Sequence, residues 1–301
     1  MDILFRVLLS SANNKMTETP PRMGSVADLI ADIFSLILSI IVIYAKSLVN
    51  LVVGNGEKQI DGSVVLITGA GHGLGRELAL QLAALGCKIA LLDVNQANCD
   101  SAGQEIRDGQ GTARSYRCDI TNQEMVSEVI KSVEKDLGKV DILINNAGIV
   151  HCRPFQQLSS EQIHRTFHVN SFSHFWTIQS VLPGMIERGG GHIIAISSIA
   201  GLLGTANCVD YCASKFAVVG LMESLEKEIH GGGRNQQIHF TTVCPLILRT
   251  GMFHHPKTRF QSIFPICTAN FAAKQVIKAI RANSSLVTIP TSALWFYRMG
   301  K

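Results

Sequence analysis

The sequence predicts an α/β fold: a doubly wound parallel sheet of about seven strands, preceded by an amino-terminal hydrophobic helix. Three observations carry that reading. Strand and helix patterns alternate from Asp61 onward. Those strands that are apolar throughout rather than at every second residue are buried on both faces, so both faces of the sheet are covered. The first strand runs into a glycine-rich loop and then directly into a helix, the order in which a parallel sheet presents a phosphate-binding turn.

Taken in order, residues 1–27 read as a poorly ordered lead-in and 28–56 as a hydrophobic anchor. Within the anchor, Ile33–Val53 carries a single charge, Lys46. A helix needs about 20 apolar residues to cross a bilayer core, and this run reaches that length. It starts late and lacks a small-residue cleavage site, so a signal peptide fits poorly. A buried core helix is the rival reading, but the folded pattern begins only at Asp61. Lys15, Arg22, Lys46 and Lys58 do not settle its orientation. One domain then extends over 61–301, with no internal repeat or low-complexity linker. Its strands are expected at Val64–Thr68, Lys88–Asp93, Ala113–Arg117, Val140–Asn145, His192–Ser197, Ile238–Cys244 and Leu286–Ile289. Helical periodicity is clearest at Leu74–Leu85, Glu124–Leu137, Glu161–Leu182, Tyr211–His230 and Phe271–Ala282.

Composition narrows the classes of function. A net charge of +4 over 301 residues, with no basic stripe, argues against a nucleic-acid partner. The eight cysteines form no C-x-x-C pair, which points to a reducing compartment and to no metal site.

Thr68–Gly75 reads T-G-A-G-H-G-L-G. Glycine serves where backbone turns sharply and approaches a pyrophosphate, and the helix amino terminus adds unpaired N–H groups. Thr68, Gly69, Gly71, Gly73, Leu74 and Gly75 are therefore candidate dinucleotide contacts. Asp93 closes the second strand, where a carboxylate accepts from ribose hydroxyls and repels a 2′-phosphate. This favours NAD, with NADP possible because His72 adds a basic group to the loop.

Tyr211 and Lys215, in Y-C-A-S-K, lie four residues apart on one face of a helix. Tyrosine titrates near 10, and a nearby ammonium favours the phenolate. Ser197 and Ser198 end the fifth strand, and Ser198 precedes Tyr211 by thirteen residues (211 − 198). Its hydroxyl can hold the reacting oxygen beside the phenol. N-N-A-G, Asn145–Gly148, ends the fourth strand, and Asn170 lies on the helix that follows.

In combination these motifs resemble the short-chain dehydrogenase/reductase family over residues 61–290. The resemblance implies a Rossmann-like fold with Tyr211 as general acid/base. Lys215 lowers its pKa and binds the nicotinamide ribose, Ser198 orients the substrate oxygen, and Asn170 supports a water relay. It further implies that Asp119 contacts adenine, that Asn146, Ala147 and Gly148 floor the cofactor site, and that Pro245 and Thr250 flank the nicotinamide. Leu246 departs from the family's usual glycine, so its turn must avoid positive φ.

The strings I-T-G-A-G-H-G-L-G-R, I-L-I-N-N-A-G-I-V, D-Y-C-A-S-K-F-A and R-T-G-M-F resemble the membrane-associated branch with retinol dehydrogenases and lipid-droplet 17-beta-hydroxysteroid dehydrogenases. That resemblance implies an endoplasmic reticulum or lipid-droplet surface and a homodimer, and the free-thiol pattern argues for a cytosolic catalytic domain. The expected reaction is NAD-dependent oxidation of a lipophilic alcohol: a retinoid, a steroid or a fatty alcohol. An NADPH-dependent reductase and a catalytically silent scaffold are the alternatives. The expected pocket wall is Ile149, Val150, Leu202, Leu203, Met252, Phe253 and Phe264, with Arg249–Pro265 as a lid. His151 and His254 are expected at its rim.

Overall fold

The computed structural model describes residues 33–34, 37–38, 41–42, 57–231, 237–252 and 265–293. The chain divides into two units, Met1–Gly56 and Glu57–Lys301. In the first, the described positions are helical, and Ile33, Phe34, Ile37, Leu38, Ile41 and Val42 expose their side chains. The rest of the expected anchor lies outside the described residues. Among the described residues no helix is long and apolar enough to cross a membrane.

The second unit runs β1 Val64–Thr68, α1 Gly73–Ala83, β2 Lys88–Asp93, α2 Gln96–Asp108, β3 Thr112–Arg117, α3 Gln123–Leu137 and β4 Ile142–Asn145. It continues α4 Ser160–Phe167, α5 Ser173–Arg188, β5 Gly190–Ile196, α6 Val209–Gly231, β6 Gln237–Pro245, β7 Leu248–Arg249, β8 Cys267–Thr268, α7 Ala269–Arg281 and β9 Leu286–Ile289. Seven strands form one sheet in the order β3-β2-β1-β4-β5-β6-β9, and every pairing in it is parallel. The order reverses between β1 and β4, the switch point at whose carboxyl edge ligands bind in such sheets.

Alternation along each strand divides the core in two. Val65 and Ile67 of β1 pack with Leu78, Leu82, Val276 and Ile280 on one face. Val64 and Leu66 pack with Val126, Ile130, Val181, Met185 and Val218 on the other. Each buried Leu, Ile or Val contributes about 1.5–3 kcal/mol. Because helices cover both faces, the strands can be apolar at every position. Short polar caps start the helices: Asn95, Asn122 and Thr268 each accept a backbone N–H of the first turn, and Ser159 with Gln162 forms a capping box.

Three features differ from the sequence expectation. Helix α2 has no counterpart in it, because its sequence is polar and only Cys99, Ala102, Gly103 and Ile106 are buried. The single helix expected over Glu161–Leu182 is two, α4 and α5, joined by a π-helical turn at His168–Phe172. Such turns insert one residue into the helical ladder and often mark functional sites. Here it carries Asn170. A short β7–β8 pair also forms beyond β6.

Candidate active site

The site is built at the carboxyl ends of β1, β4, β5 and β6. After Thr68 the chain turns at Gly69, with φ +64°, and at Gly73, with φ +57°. A Cβ on Gly75 would lie 2.2 Å from the Gly69 carbonyl oxygen, and one on Gly69 would lie 2.9 Å from the Ala147 Cα. The loop is thus packed against α1 and the end of β4 with no room for a side chain at Gly69 or Gly75. Asn146 locks this junction. Its Nδ2 donates to the carbonyls of Thr68 at 2.9 Å and Gly69 at 3.1 Å, and its N–H and that of Ala147 donate to the Thr68 hydroxyl at 3.0 and 3.1 Å.

Asp93 is 8% exposed. Its Oδ2 accepts the Gly71 N–H at 2.9 Å and its Oδ1 the Asn95 N–H at 3.0 Å. The carboxylate thereby fixes the loop and also lines the cavity. Asp119 is exposed and accepts from the N–H and hydroxyl of Thr121.

Across the sheet, Lys215 is buried and its Nζ donates to the Ile196 carbonyl at 2.8 Å. Nζ lies 5.7 Å from the centre of the Tyr211 ring. Burial pushes the ammonium down to about 8. Burial also pushes the Tyr211 phenol up to about 12, and its hydrogen bond with Ser198 partly opposes this. The expected lowering of the phenol by Lys215 is not found in the protein alone: desolvation dominates, and only Ser198 opposes it. The two serines separate cleanly. Ser198 reaches the phenol, whereas Ser197 donates back to the Lys215 carbonyl at 2.9 Å.

Asn170 is fully buried. Its Oδ1 accepts the Ile149 N–H at 2.8 Å, and its Nδ2 donates to the Ile149 carbonyl at 2.9 Å and to Ser214 at 3.1 Å. A Cβ on Gly148 would lie 3.4 Å from Asn170 Oδ1 and 3.5 Å from Lys215 Nζ, so this glycine sits directly against both polar groups. Ser214 was not anticipated. Its only sequence signal is its place inside Tyr-x-x-x-Lys, from which its hydroxyl bonds the Tyr211 carbonyl at 2.7 Å.

One cavity of about 590 Å³ joins these groups. Gly69, Gly73, Leu74, Asp93, Asp119, Asn146, Ala147, Gly148, Ser198, Tyr211, Lys215, Pro245 and Thr250 all line it. Thr68, Gly71, Gly75 and Asn170 stand behind that wall as supports. Leu246 also lines it, in a turn without positive φ, as its side chain requires. Of the expected apolar wall, Ile149 and Met252 line the cavity. Val150, Leu202 and Leu203 do not: Val150 packs on the Tyr211–Cys212 cluster, Leu202 is buried and Leu203 faces solvent. Phe253, Phe264, His254 and most of the expected lid fall outside the described residues. His151 packs against Thr166 and Asp210, with its Nδ1 at 3.0 and 3.4 Å.

The sequence profile described as short chain dehydrogenase matches residues 63–259. This chain belongs to the short-chain dehydrogenase/reductase family. Among its relatives in the family, bovine (Bos taurus) short-chain dehydrogenase/reductase family 16C member 6 is 39% identical over 82% of this chain and 78% of its own. Human (Homo sapiens) 17-beta-hydroxysteroid dehydrogenase 13 is 33% identical over 91% and 90%. Mouse (Mus musculus) epidermal retinol dehydrogenase 2 is 39% identical over 84% of each chain. These similarities support membership of the retinol and 17-beta-hydroxysteroid dehydrogenase branch. A crystal structure of a family member from Burkholderia phymatum in complex with NAD superposes with a TM-score of 0.73, at 26% identity over 80% of this chain and 93% of that one. A 7 alpha-hydroxysteroid dehydrogenase complexed with NADH and 7-oxo glycochenodeoxycholic acid gives a TM-score of 0.71, at 27% identity over 77% and 94%. The chain is an oxidoreductase of CH–OH groups with a nicotinamide dinucleotide cofactor, NAD(P). The tight glycine cradle at Gly69–Gly75 and the adjoining Asp93 carboxylate fit that group.

Proposed function

We propose that this protein oxidises a lipophilic alcohol to its carbonyl with NAD. The observation that carries the reading is the convergence of Ser198, Tyr211 and Lys215 on one cavity that continues to Asp93. Bound NAD supplies the hydride acceptor. The Thr68–Gly75 loop holds the pyrophosphate, and Asp93 receives the adenosine ribose hydroxyls and disfavours a 2′-phosphate.

The proton is handled by the chain's own groups. Tyr211 takes it from the alcohol as phenolate, and the Ser198 hydroxyl steadies the same oxygen as charge develops. Lys215, tied to the Ile196 carbonyl, places its ammonium beside the phenol and the ribose. Asn170 holds Ile149 and the π-helical turn in register, which keeps the route behind Lys215 polar. The substrate end of the cavity has Ile149, Val169, Leu246 and Met252 on its wall, a surface suited to a retinoid, steroid or fatty alcohol.

The working place we assign is the cytosolic face of the endoplasmic reticulum or a lipid droplet. The exposed apolar positions at Ile33–Val42 support an anchor there. A homodimer through α5 and α6 is supported by exposed Phe175 and Phe216. The test is turnover of retinol, estradiol and a long-chain primary alcohol by the detergent-solubilised full chain, with NAD and with NADP. Faster turnover of at least one with NAD is expected. Activity with NADP alone, or on none of the three, overturns the proposal.

A further inference from the structure

Two thiols face each other beside the reaction centre. Cys152 is exposed, in the irregular loop after β4, and its backbone lies at φ +48°. Its Sγ is 3.6 Å from the Sγ of Cys208, a buried residue immediately before α6. A disulfide is about 2.0 Å long, so the sulfurs must close by about 1.6 Å, within reach of an exposed side chain on a loop.

Both ends of the pair are tied to the site. Ile149, three residues before Cys152, lines the cavity and exchanges two hydrogen bonds with Asn170. The Cys208 carbonyl accepts the Cys212 N–H at 2.7 Å, in the first turn of the helix that carries Tyr211. A bond between the sulfurs would pull the substrate wall and the Tyr211 turn together.

We propose that Cys152 and Cys208 are a modification site, a dithiol that a hydroperoxide closes to a disulfide and that slows turnover when closed. The Cys152 thiolate attacks one peroxide oxygen, the O–O bond breaks, and the other oxygen leaves as alcohol or water after taking a proton. Cys152 is then a sulfenic acid. The Cys208 sulfur attacks the Cys152 sulfur, the S–O bond breaks, and the oxygen leaves as water with the Cys208 proton. The dithiol loses two electrons and two protons, and the peroxide gains them. The order follows from access. Cys208 is pushed up to about 12, by burial first and then by its hydrogen bond to Cys152, so the exposed thiol meets the oxidant first. A cytosolic thiol pool reopens the bond, as reversible redox pairs require.

The slowing of turnover rests on the alcohol-oxidation reading; the cross-link does not. The full chain in detergent is treated with hydrogen peroxide at a small molar excess, alkylated and peptide-mapped by mass spectrometry. A Cys152–Cys208 linked peptide is expected as the main product, removed by dithiothreitol. Turnover should fall about tenfold or more, since a displacement near 1 Å costs up to about 10²-fold, and should return on reduction. Cys152→Ser should keep basal turnover and lose the sensitivity. Stable oxidation of Cys152 with Cys208 still alkylated, pairing with Cys212 instead, or no reaction would overturn the site. Equal peroxide inhibition in Cys152→Ser would overturn the regulation while leaving the alcohol reading intact.

Discussion

Replacing Lys215 with methionine should destroy the activity and stabilise the protein. Lys215 is 3% exposed, and burial lowers it from 10.5 to about 8. At about 1.4 kcal/mol per decade, that shift makes the ammonium cost the unliganded fold about 3 kcal/mol at neutral pH. Methionine fills the same space without charge. The substitution gives up the hydrogen bond to the Ile196 carbonyl, worth about 1 kcal/mol, so a net gain of about 2 kcal/mol is expected at pH 7. The sign with pH follows from proton counting. Below about 8 both folded and unfolded lysines are protonated and the cost is fully present. Between about 8 and 10.5 the unfolded chain binds more protons than the folded one, so wild-type stability rises with pH. Raising pH from 7 to 9.5 returns about 2 kcal/mol to the wild type by that linkage, and the two proteins should then be nearly equal. Urea unfolding of both, in detergent at the two pH values, measures the difference. A Lys215→Met protein less stable than wild type at pH 7, or a gap that does not shrink at pH 9.5, refutes the reasoning. Hydride transfer by the variant should fall about 10²-fold or more.

Tyr211→Phe should retain its fold and NADH binding while turnover drops about 10²- to 10⁴-fold; turnover near the wild-type rate would remove Tyr211 from the mechanism. Asp93→Ala strips the acceptor from the Gly71 and Asn95 N–H groups, costing about 1–3 kcal/mol for each left unsatisfied. It should also raise the NADP-to-NAD ratio of kcat/KM, and an unchanged ratio would sink the ribose assignment. Gly75→Ala puts a Cβ 2.2 Å from the Gly69 carbonyl oxygen, a backbone atom that cannot rotate away. NADH affinity, read by fluorescence titration, should fall about tenfold or more through misplacement of the loop; wild-type affinity would show that the cradle is looser than drawn.

Strands such as β1 were legible as apolar runs buried on both faces, and all seven in the main sheet were located, although β3 is polar and largely unburied. Helix α2 was not, since its buried face is made of Cys99, Ala102, Gly103 and Ile106, residues with little apolar contrast. The break between α4 and α5 was invisible for a different reason. A π-helical turn shifts the helix phase by one residue without a proline or glycine at His168–Phe172 to announce it. The motif residues lining the cavity were found from spacing and order, while Ser214 was not, because its role depends on which way a hydroxyl points.

What the sequence determined by itself was connectivity chemistry: which residue types sit at the ends of which strands, and hence that a glycine-rich strand-to-helix loop and a Tyr–Lys pair exist. Those are local patterns with fixed periods, readable one segment at a time. Only the tertiary structure decided that Ser197 turns back to the Lys215 carbonyl, and that Val150, Leu202 and Leu203 stand off the cavity. It also placed Cys152 3.6 Å from Cys208 across 56 positions of chain. Each depends on distance between segments far apart in sequence. It likewise revealed that burial dominates at Tyr211, because desolvation depends on everything packed around a group.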